Sequence, residues 1–265
     1  MVNLLQAWAE QYKHVDPAIV VQVAGGGSGV GIAGLIEGTL DVAAASREIR
    51  STERERISSI HHAAPTELTV ALDALAVYVH RSNPIDGIAL ADLAEIYGDE
   101  GGLQRWSQLG VQHSGCTTDT IIRVGRQNNS GTYAYFREVV LGPQREYQLG
   151  SIDQSGSKDV VALVSRTPCA IGYSGLAYAT PGVKAVNVAA GRNGIAVAPS
   201  QASVIDGSYP LARPLYLYTA TPPASHIAAF LSWVLGPEGQ AIVSELGFVP
   251  PTNRMVTGAA GMRGP

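Results

Sequence analysis

The chain has little charge, only two cysteines and no long apolar run. Only 15% of its 265 residues are Asp, Glu, Lys or Arg, and the formal net charge is -4. No run of Lys and Arg occurs, which argues against a broad basic surface for nucleic acid or an anionic membrane. No stretch reaches the ~18 consecutive apolar residues of a membrane-spanning helix. With 46% hydrophobic residues, the chain should instead fold around a substantial core.

The two cysteines, Cys116 and Cys169, are too few for a disulfide framework, and their spacing matches no metal-binding pattern. We expect two unpaired thiols, with one disulfide as the alternative in an oxidising compartment. Residues 1–13 are predicted to form an amphipathic helix and lack the long apolar segment of a signal peptide. The pattern therefore predicts a cytosolic protein, or one whose targeting segment has been removed.

Helix-like and strand-like segments alternate along most of the chain, which predicts an α/β fold with mainly parallel sheets. Helices are predicted at about 3–13, 28–37, from 52, 90–97, after 130, 157–165, 223–235 and 237–246. Strands are predicted at 20–24, 41–46, 121–126, 170–173 and 215–218. The apolar run 68–80 predicts either one bent strand or two. Thr52 and Glu55 have the spacing of a capping box.

The junction 126–132 carries the strongest functional signal. A strand ends in Arg126, the chain turns through small polar residues, and a helix opens on Ser130, Gly131 and Thr132. The first N–H groups of a helix lack backbone partners, and the helix dipole adds partial positive charge there. Arginine offers a planar fork of donors for an oxyanion. These residue types predict an anion-binding loop.

A simpler interpretation of the same junction is a helix cap. Asn129 or Ser130 would then satisfy the first N–H groups, and Arg126 would be a solvated strand end. The motif alone leaves both interpretations open.

A second glycine-rich turn strengthens the anion hypothesis. Gly27, Ser28 and Gly29 lie between the predicted strand 20–24 and the following helix. Ser46 follows the next predicted strand. In an open α/β sheet, ligands sit outside the carboxyl ends of the strands, where all of these serines are expected.

Other phosphate-binding motifs fit poorly. Gly29, Gly31 and Gly34 have the dinucleotide-binding spacing, but they fall inside a short helix, and no acidic residue ends the next strand. A Walker A loop is excluded because Gly-Lys-Ser/Thr does not occur. An enzyme acting on phosphorylated substrates would need a nucleophile or general base. His61 and His62 have no evident partner, and the other histidines are scattered, so we expect no enzyme, metal or cofactor.

The chain as a whole resembles the phosphate-binding proteins of phosphate ABC transporters, which have the two-lobed periplasmic-binding-protein fold. The resemblance spans nearly the whole length and rests on the segments 7–10, 25–31, 38–41, 45–49, 72–77, 83–84, 106–110, 126–132, 170–173, 213–216 and 236–240. Each segment is weak alone, but their order and spacing are specific.

The resemblance implies a type II-like fold in which each lobe is a mostly parallel sheet flanked by helices, joined by two hinge strands. Residues 1–76 and 213–265 would form lobe I, and residues 77–212 lobe II. Phosphate would be captured between the lobes and delivered to a membrane permease by a monomeric, extracytoplasmic receptor. The implied phosphate ligands are Ser28, Ser46, Arg126, Ser130, Gly131 and Thr132, with Gly27, Gly29 and Asn129 supporting the loops.

Three departures from the family pattern qualify that expectation. The family usually opens with a further strand and a Gly-Ser-Ser/Thr turn, so we expect a truncated chain or a misassigned start. Some members have an aspartate at the position of Ser46, where it accepts the proton of hydrogen phosphate, and an aspartate at Asn128 that pairs with the binding arginine. The open alternatives are a receptor for sulfate or molybdate and a phosphate sensor that does not transport.

Overall fold

The computed structural model describes residues 1–251. The helices are α1 (Val2–Val15), α2 (Ser28–Ile36), α3 (Ser51–His61), α4 (Leu90–Tyr97), α5 (Gly131–Phe136), α6 (Ser157–Val164), α7 (Gln201–Ile205), α8 (Ser225–Leu235) and α9 (Pro237–Glu245). The strands are β1 (Ala43–Ala45), β2 (Thr66–His80), β3 (Gly87–Ala89), β4 (Ile122–Arg126), β5 (Ile152–Gln154), β6 (Ala170–Gly175), β7 (Val183–Ala189) and β8 (Ala212–Thr219). A π-helical turn, Arg137–Leu141, continues α5.

The chain divides into two compact units. One combines Met1–Leu72 with the segment that starts at Pro214, and the other is Asp73–Arg213. The last part of the predicted lobe I, 252–265, lies outside the described residues.

In the first unit, β1 and β8 pair antiparallel, with Ala43 opposite Tyr218. Ile32 and Leu35 of α2 and Ile57 of α3 pack with Tyr218 in a buried cluster. In α1, Trp8 is fully buried, and its indole N–H donates to the Gly239 carbonyl of α9 at 2.8 Å. The amphipathic helix α1 therefore packs through its apolar face, and the indole N–H that is buried there has a hydrogen-bond acceptor.

The second unit contains a mixed sheet in the order β3-β7-β2-β6-β4-β5. β4 lies parallel to β5 and β6, and β3 lies parallel to β7, whereas β2 runs antiparallel to both β6 and β7. The expected α/β class is confirmed, but its pairing is mixed rather than mainly parallel. Helix α6 covers one face, where Val160, Val161 and Val164 pack against Tyr78 and Val124.

Several sequence-based element predictions need correction. No strand forms at 20–24, where Val20 is 79% exposed, because alternating apolar residues make a strand only when a neighbouring strand accepts their backbone hydrogen bonds. The run 68–80 is one strand. The capping box at Thr52 is wrong as well: the Glu53 carboxylate accepts from the Arg50 N–H at 2.9 Å, and the Arg47 guanidinium holds Glu53 in place.

The prediction of two unpaired thiols is also wrong. Cys116 and Cys169 form a disulfide in the second unit, with their Cα atoms 4.9 Å apart. Cys169 directly precedes β6, and its carbonyl accepts the indole N–H of the fully buried Trp106 at 3.0 Å. The 53-residue separation of the cysteines is bridged by the fold, which sequence spacing alone does not reveal.

Candidate functional site

The junction between β4 and α5 is a capped helix start. Ser130 is the N-cap residue, and its Oγ accepts the N–H of Thr132 at 3.1 Å. The Ser130 N–H in turn donates to the Gln127 carbonyl at 2.9 Å, which closes the preceding turn. Ser130, Gly131 and Thr132 are buried, whereas Asn129 is exposed. Of the two residues that could cap the helix, the structure therefore uses Ser130.

Arg126 is not a solvated strand end. Its side chain is buried, and it donates to the Gln154 carbonyl at 3.2 Å, the Ser157 hydroxyl at 3.0 Å and the Ser155 carbonyl at 2.9 Å. All three acceptors are neutral. Burial, and then the positive charge of Arg213, lower the pKa of Arg126. The guanidinium is thus fixed by the loop before α6 while none of these three partners neutralises its charge.

A second buried arginine lies in the same unit, and the sequence-based site did not include it. Arg213 donates from Nε and Nη2 to Asp73 Oδ2 at 3.2 and 2.9 Å, and from Nη2 to Thr132 Oγ1 at 3.0 Å. The Tyr135 ring centroid lies 5.5 Å from its Cζ atom. Arg213 and Asp73 are both about 4% exposed. The signal was an acidic residue inside the apolar run 68–80, because a buried carboxylate needs a cation.

These side chains give the second unit a buried excess of positive charge. Arg126 and Arg213 carry two cationic groups, and Asp73 is the buried carboxylate that faces one of them. Asp159, which also acts on Arg126, is exposed. Burying an uncompensated charge is costly unless an opposite charge is brought to it. Arg213 contacts Thr132 in the first turn of α5, so the hydroxyl-rich N-terminus of this helix lies next to one of the two cations and can accommodate an anion.

The first unit brings two further predicted residues together. Ser28 opens α2 and is buried, and its Oγ accepts the N–H of Ser46 at 3.0 Å. Gly26 and Gly27 precede it with φ of 135° and 89°, values that favour glycine. Gly29 follows in the first turn of α2. The structure thus pairs Ser28 with the residue after β1, although the strand 20–24 that was expected to precede Ser28 does not form.

Two of the histidines, His61 and His113, contact backbone carbonyls. His61 Nε2 contacts the Leu35 and Ile36 carbonyls at the end of α2 at 3.1 and 3.0 Å, and His113 Nε2 contacts the Pro168 carbonyl at 3.0 Å. Within residues 1–251, no group of three or more His, Cys, Asp and Glu side chains is arranged to hold a metal ion. In the same range, no helix combines the length and apolarity needed to cross a bilayer.

Tyr135 gives a prediction for alkaline pH. Its hydroxyl donates to the Ala212 carbonyl at 2.7 Å, and burial raises its pKa from 10.0 to about 12, an increase that the nearby Arg213 partly opposes. A raised folded-state pKa stabilises the fold fully below pH 10 and loses that effect as the pH rises towards 12. We expect the free energy of unfolding to fall over this window, measured by urea denaturation at each pH.

The control for that prediction is Tyr135→Phe, which has no proton to lose. Its unfolding free energy should fall less steeply between pH 10 and 12 than that of the unsubstituted chain. Burial also raises the pKa of Tyr78 and Tyr209, so a smaller decline should persist in the variant. Equal slopes for the two proteins would contradict the assignment to Tyr135.

Comparison with known proteins places this geometry in a family. Residues 1–238 match the PBP superfamily domain. The phosphate-binding protein PstS of Pseudomonas aeruginosa is 33% identical over 260 residues, which cover 94% of this chain and 80% of that protein. Protein SphX of Synechococcus elongatus is 33% identical over 264 residues, covering 96% of this chain and 76% of its own.

A solved structure agrees with these sequence relatives. The structure of a protein from Clostridium perfringens, assigned as a phosphate ABC transporter substrate-binding protein and holding bound phosphate, superposes with a TM-score of 0.82. It is 26% identical, and the match covers 95% of this chain and 96% of that one. The chain therefore belongs to the PBP superfamily and, within it, to the family of the phosphate-binding proteins PstS.

Proposed function

We propose that this protein is a receptor that captures inorganic phosphate and delivers it to the permease of an ABC transporter. The observation that carries the proposal is the buried pair of arginines, Arg126 and Arg213, of which Arg213 is paired with the buried carboxylate of Asp73. The names of the sequence relatives and the bound phosphate in the Clostridium perfringens structure support phosphate as the anion.

Each unit carries residues that we propose as phosphate ligands. Arg126 ends β4, and Ser130, Gly131 and Thr132 form the start of α5. Their burial and the capping geometry support a preorganised set of donors. Ser28 and Ser46 are the proposed ligands of the other unit, supported by their mutual hydrogen bond and by the turn through Gly27 and Gly29. Fixed donors in a site that excludes water interact more strongly with an anion than donors in solution.

We assign the two compact units to the two lobes of the receptor. The proposed lobe boundaries are 1–76 with 213–265 and 77–212. They lie within a few residues of the division between Leu72 and Asp73 and between Arg213 and Pro214, which supports the assignment while placing residues 73–76 and Arg213 with the second unit. The receptor would act as a monomer and without catalytic groups.

The receptor is proposed to work outside the cytoplasm, and the disulfide between Cys116 and Cys169 supports that assignment. Disulfides persist in oxidising compartments such as the periplasm and the cell surface and are rare in the cytosol. For a receptor in this location, the proposed partner is the membrane permease of the transporter. Co-purification with the permease would distinguish transport from a sensor that binds phosphate and acts through a signalling partner.

Calorimetric titration of the full chain with phosphate, sulfate and molybdate tests which anion is the ligand. We expect a measurable heat of binding with phosphate at one site per chain and weaker binding of sulfate and molybdate. Phosphate should also raise the thermal unfolding midpoint, since a ligand that binds the folded state stabilises it by mass action. Tighter binding of sulfate or molybdate would identify that oxyanion, instead of phosphate, as the ligand of the receptor. If none of the three anions binds, the receptor hypothesis is wrong.

A further inference from the structure

The contact between Arg213 and Thr132 suggests a role that neither residue has alone. We propose that Arg213, held by Asp73, is a positioning residue that fixes the Thr132 hydroxyl as a hydrogen-bond donor to the bound anion. This inference rests on the proposed function, because it assigns a role within the phosphate site.

The hydrogen bond between Arg213 and Thr132 can have only one direction. A guanidinium has five N–H donors and no acceptor, so Thr132 Oγ1 must accept in its 3.0 Å contact with Arg213 Nη2. The Thr132 hydrogen cannot point at Arg213 and is directed elsewhere. A hydroxyl that accepts from a cation is also polarised, which makes its own hydrogen a better donor. This arrangement suits an unprotonated oxygen of the anion, because such an oxygen can only accept from the hydroxyl.

The immediate surroundings explain why Arg213 can hold this geometry. Asp73 Oδ2 accepts from both Nε and Nη2 of Arg213, which fixes the guanidinium plane. The Tyr135 ring lies near the same guanidinium at 5.5 Å. Asp73 lies in β2 and Arg213 in β8, so both side chains extend from strands rather than from loops. The Thr132 hydroxyl is thus oriented by a rigid pair, not by solvent.

The same neighbourhood explains why arginine is required rather than any cation. Lysine would keep the positive charge near Arg126 but could not keep both contacts to Asp73 and the contact to Thr132 in one plane. Arg213→Lys should therefore preserve the attraction for an anion and lose part of the positioning. Arg213→Gln should lose both.

A double-mutant cycle in the full chain tests the proposal. Phosphate Kd is measured by calorimetry for Arg213→Gln, Thr132→Val and the double variant, with Thr132→Ser as the variant that keeps the hydroxyl. We expect Arg213→Gln and Thr132→Val each to weaken binding about tenfold or more, and the double variant to bind more tightly than the product of the two effects predicts. Thr132→Ser should bind like the unsubstituted chain, and Arg213→Lys should lie between it and Arg213→Gln.

The matched control is Arg192→Gln, which breaks the exposed ion pair of Arg192 with Asp92 in the same unit and should leave Kd unchanged. Thermal midpoints of all variants separate binding from folding. An unchanged Kd for Arg213→Gln with a lowered midpoint would mean a merely structural role and overturn the proposal, as would independent effects of the two substitutions. If Arg213→Gln does not fold, the cycle of Arg213→Lys with Thr132→Val decides between the same outcomes.

Different results would overturn the proposed function and the positioning role of Arg213. No phosphate binding by the unsubstituted chain overturns the proposed function itself. Phosphate binding by the unsubstituted chain, with additive effects of the Arg213 and Thr132 substitutions, overturns only the positioning role.

Discussion

Replacing Arg126 with alanine should weaken phosphate binding about tenfold to a hundredfold. A hydrogen bond to a charged group contributes about 1.5–3 kcal/mol, and a factor of ten in Kd corresponds to about 1.4 kcal/mol. Arg126 uses three donors on Gln154, Ser155 and Ser157, and a guanidinium has five, so donors remain for an anion. Calorimetric titration with phosphate measures the effect directly.

The structure also predicts a loss of stability that the sequence did not suggest. From the sequence, Arg126→Ala should leave the fold nearly intact. In the structure the substitution removes the guanidinium from the Ser155 carbonyl, the Ser157 hydroxyl and the Gln154 carbonyl, the last of which keeps the Gln127 N–H at 3.1 Å. Each hydrogen bond lost from this part-buried segment contributes about 0.5–1.5 kcal/mol. The thermal midpoint of the variant should therefore fall, and Kd must be measured well below it.

Arg123→Ala is the matched control for this prediction. Arg123 lies on the same strand and also donates to a neutral side chain and a carbonyl, Gln104 Oε1 and the Leu149 oxygen, each at 3.0 Å. Its removal should lower stability without changing Kd. Equal effects of the two substitutions on phosphate binding would show that Arg126 acts only by holding the fold.

Removing the disulfide should lower the free energy of unfolding by about 4 kcal/mol. Cys116 and Cys169 close a loop of 53 residues, and the chain-entropy account assigns about this loss to an open loop of that length. The neighbouring Trp106 indole, bonded to the Cys169 carbonyl, lies in the core that the disulfide secures. Urea denaturation of the Cys116→Ser/Cys169→Ser variant, followed by two spectroscopic probes, measures the change.

Reductant provides the control. It should destabilise the unsubstituted chain and leave the double variant unaffected, while phosphate Kd of either folded protein stays the same. A double variant as stable as the oxidised chain would mean that the disulfide is incidental to stability.

Local patterns predicted most of the elements. Leu90–Tyr97 was predicted from its apolar periodicity and forms α4 with those limits, and Ser157–Val164 differs by one residue from the predicted helix. The short strands β3 and β5 were missed because three residues carry too little periodicity, and β5 is largely exposed. The predicted strand at 20–24 failed for the opposite reason, since its pattern was clear but the fold provides no partner strand there.

Some residues of the candidate site could likewise be predicted from the sequence, and others could not. Arg126, Ser130, Gly131 and Thr132 are adjacent in sequence, so residue type and spacing alone pointed to an anion loop. Arg213 and Asp73 were not recognised as part of the site because they are 140 residues apart. A charged residue in an apolar run indicates that a partner exists but does not say which residue it is.

The sequence by itself therefore determined the α/β class, the order of most elements, the family resemblance and the loop 126–132. Only the tertiary structure decided that Arg126 is buried and braced by the loop at 154–157, that Arg213 contacts both Asp73 and Thr132, and that Cys116 pairs with Cys169. The physical reason is the sequence distance over which the interactions act. Capping, periodicity and turn chemistry depend on residues a few positions apart, so they can be recognised from the sequence alone. Ion pairs, disulfides and strand pairing depend on which distant segments the packed core brings together.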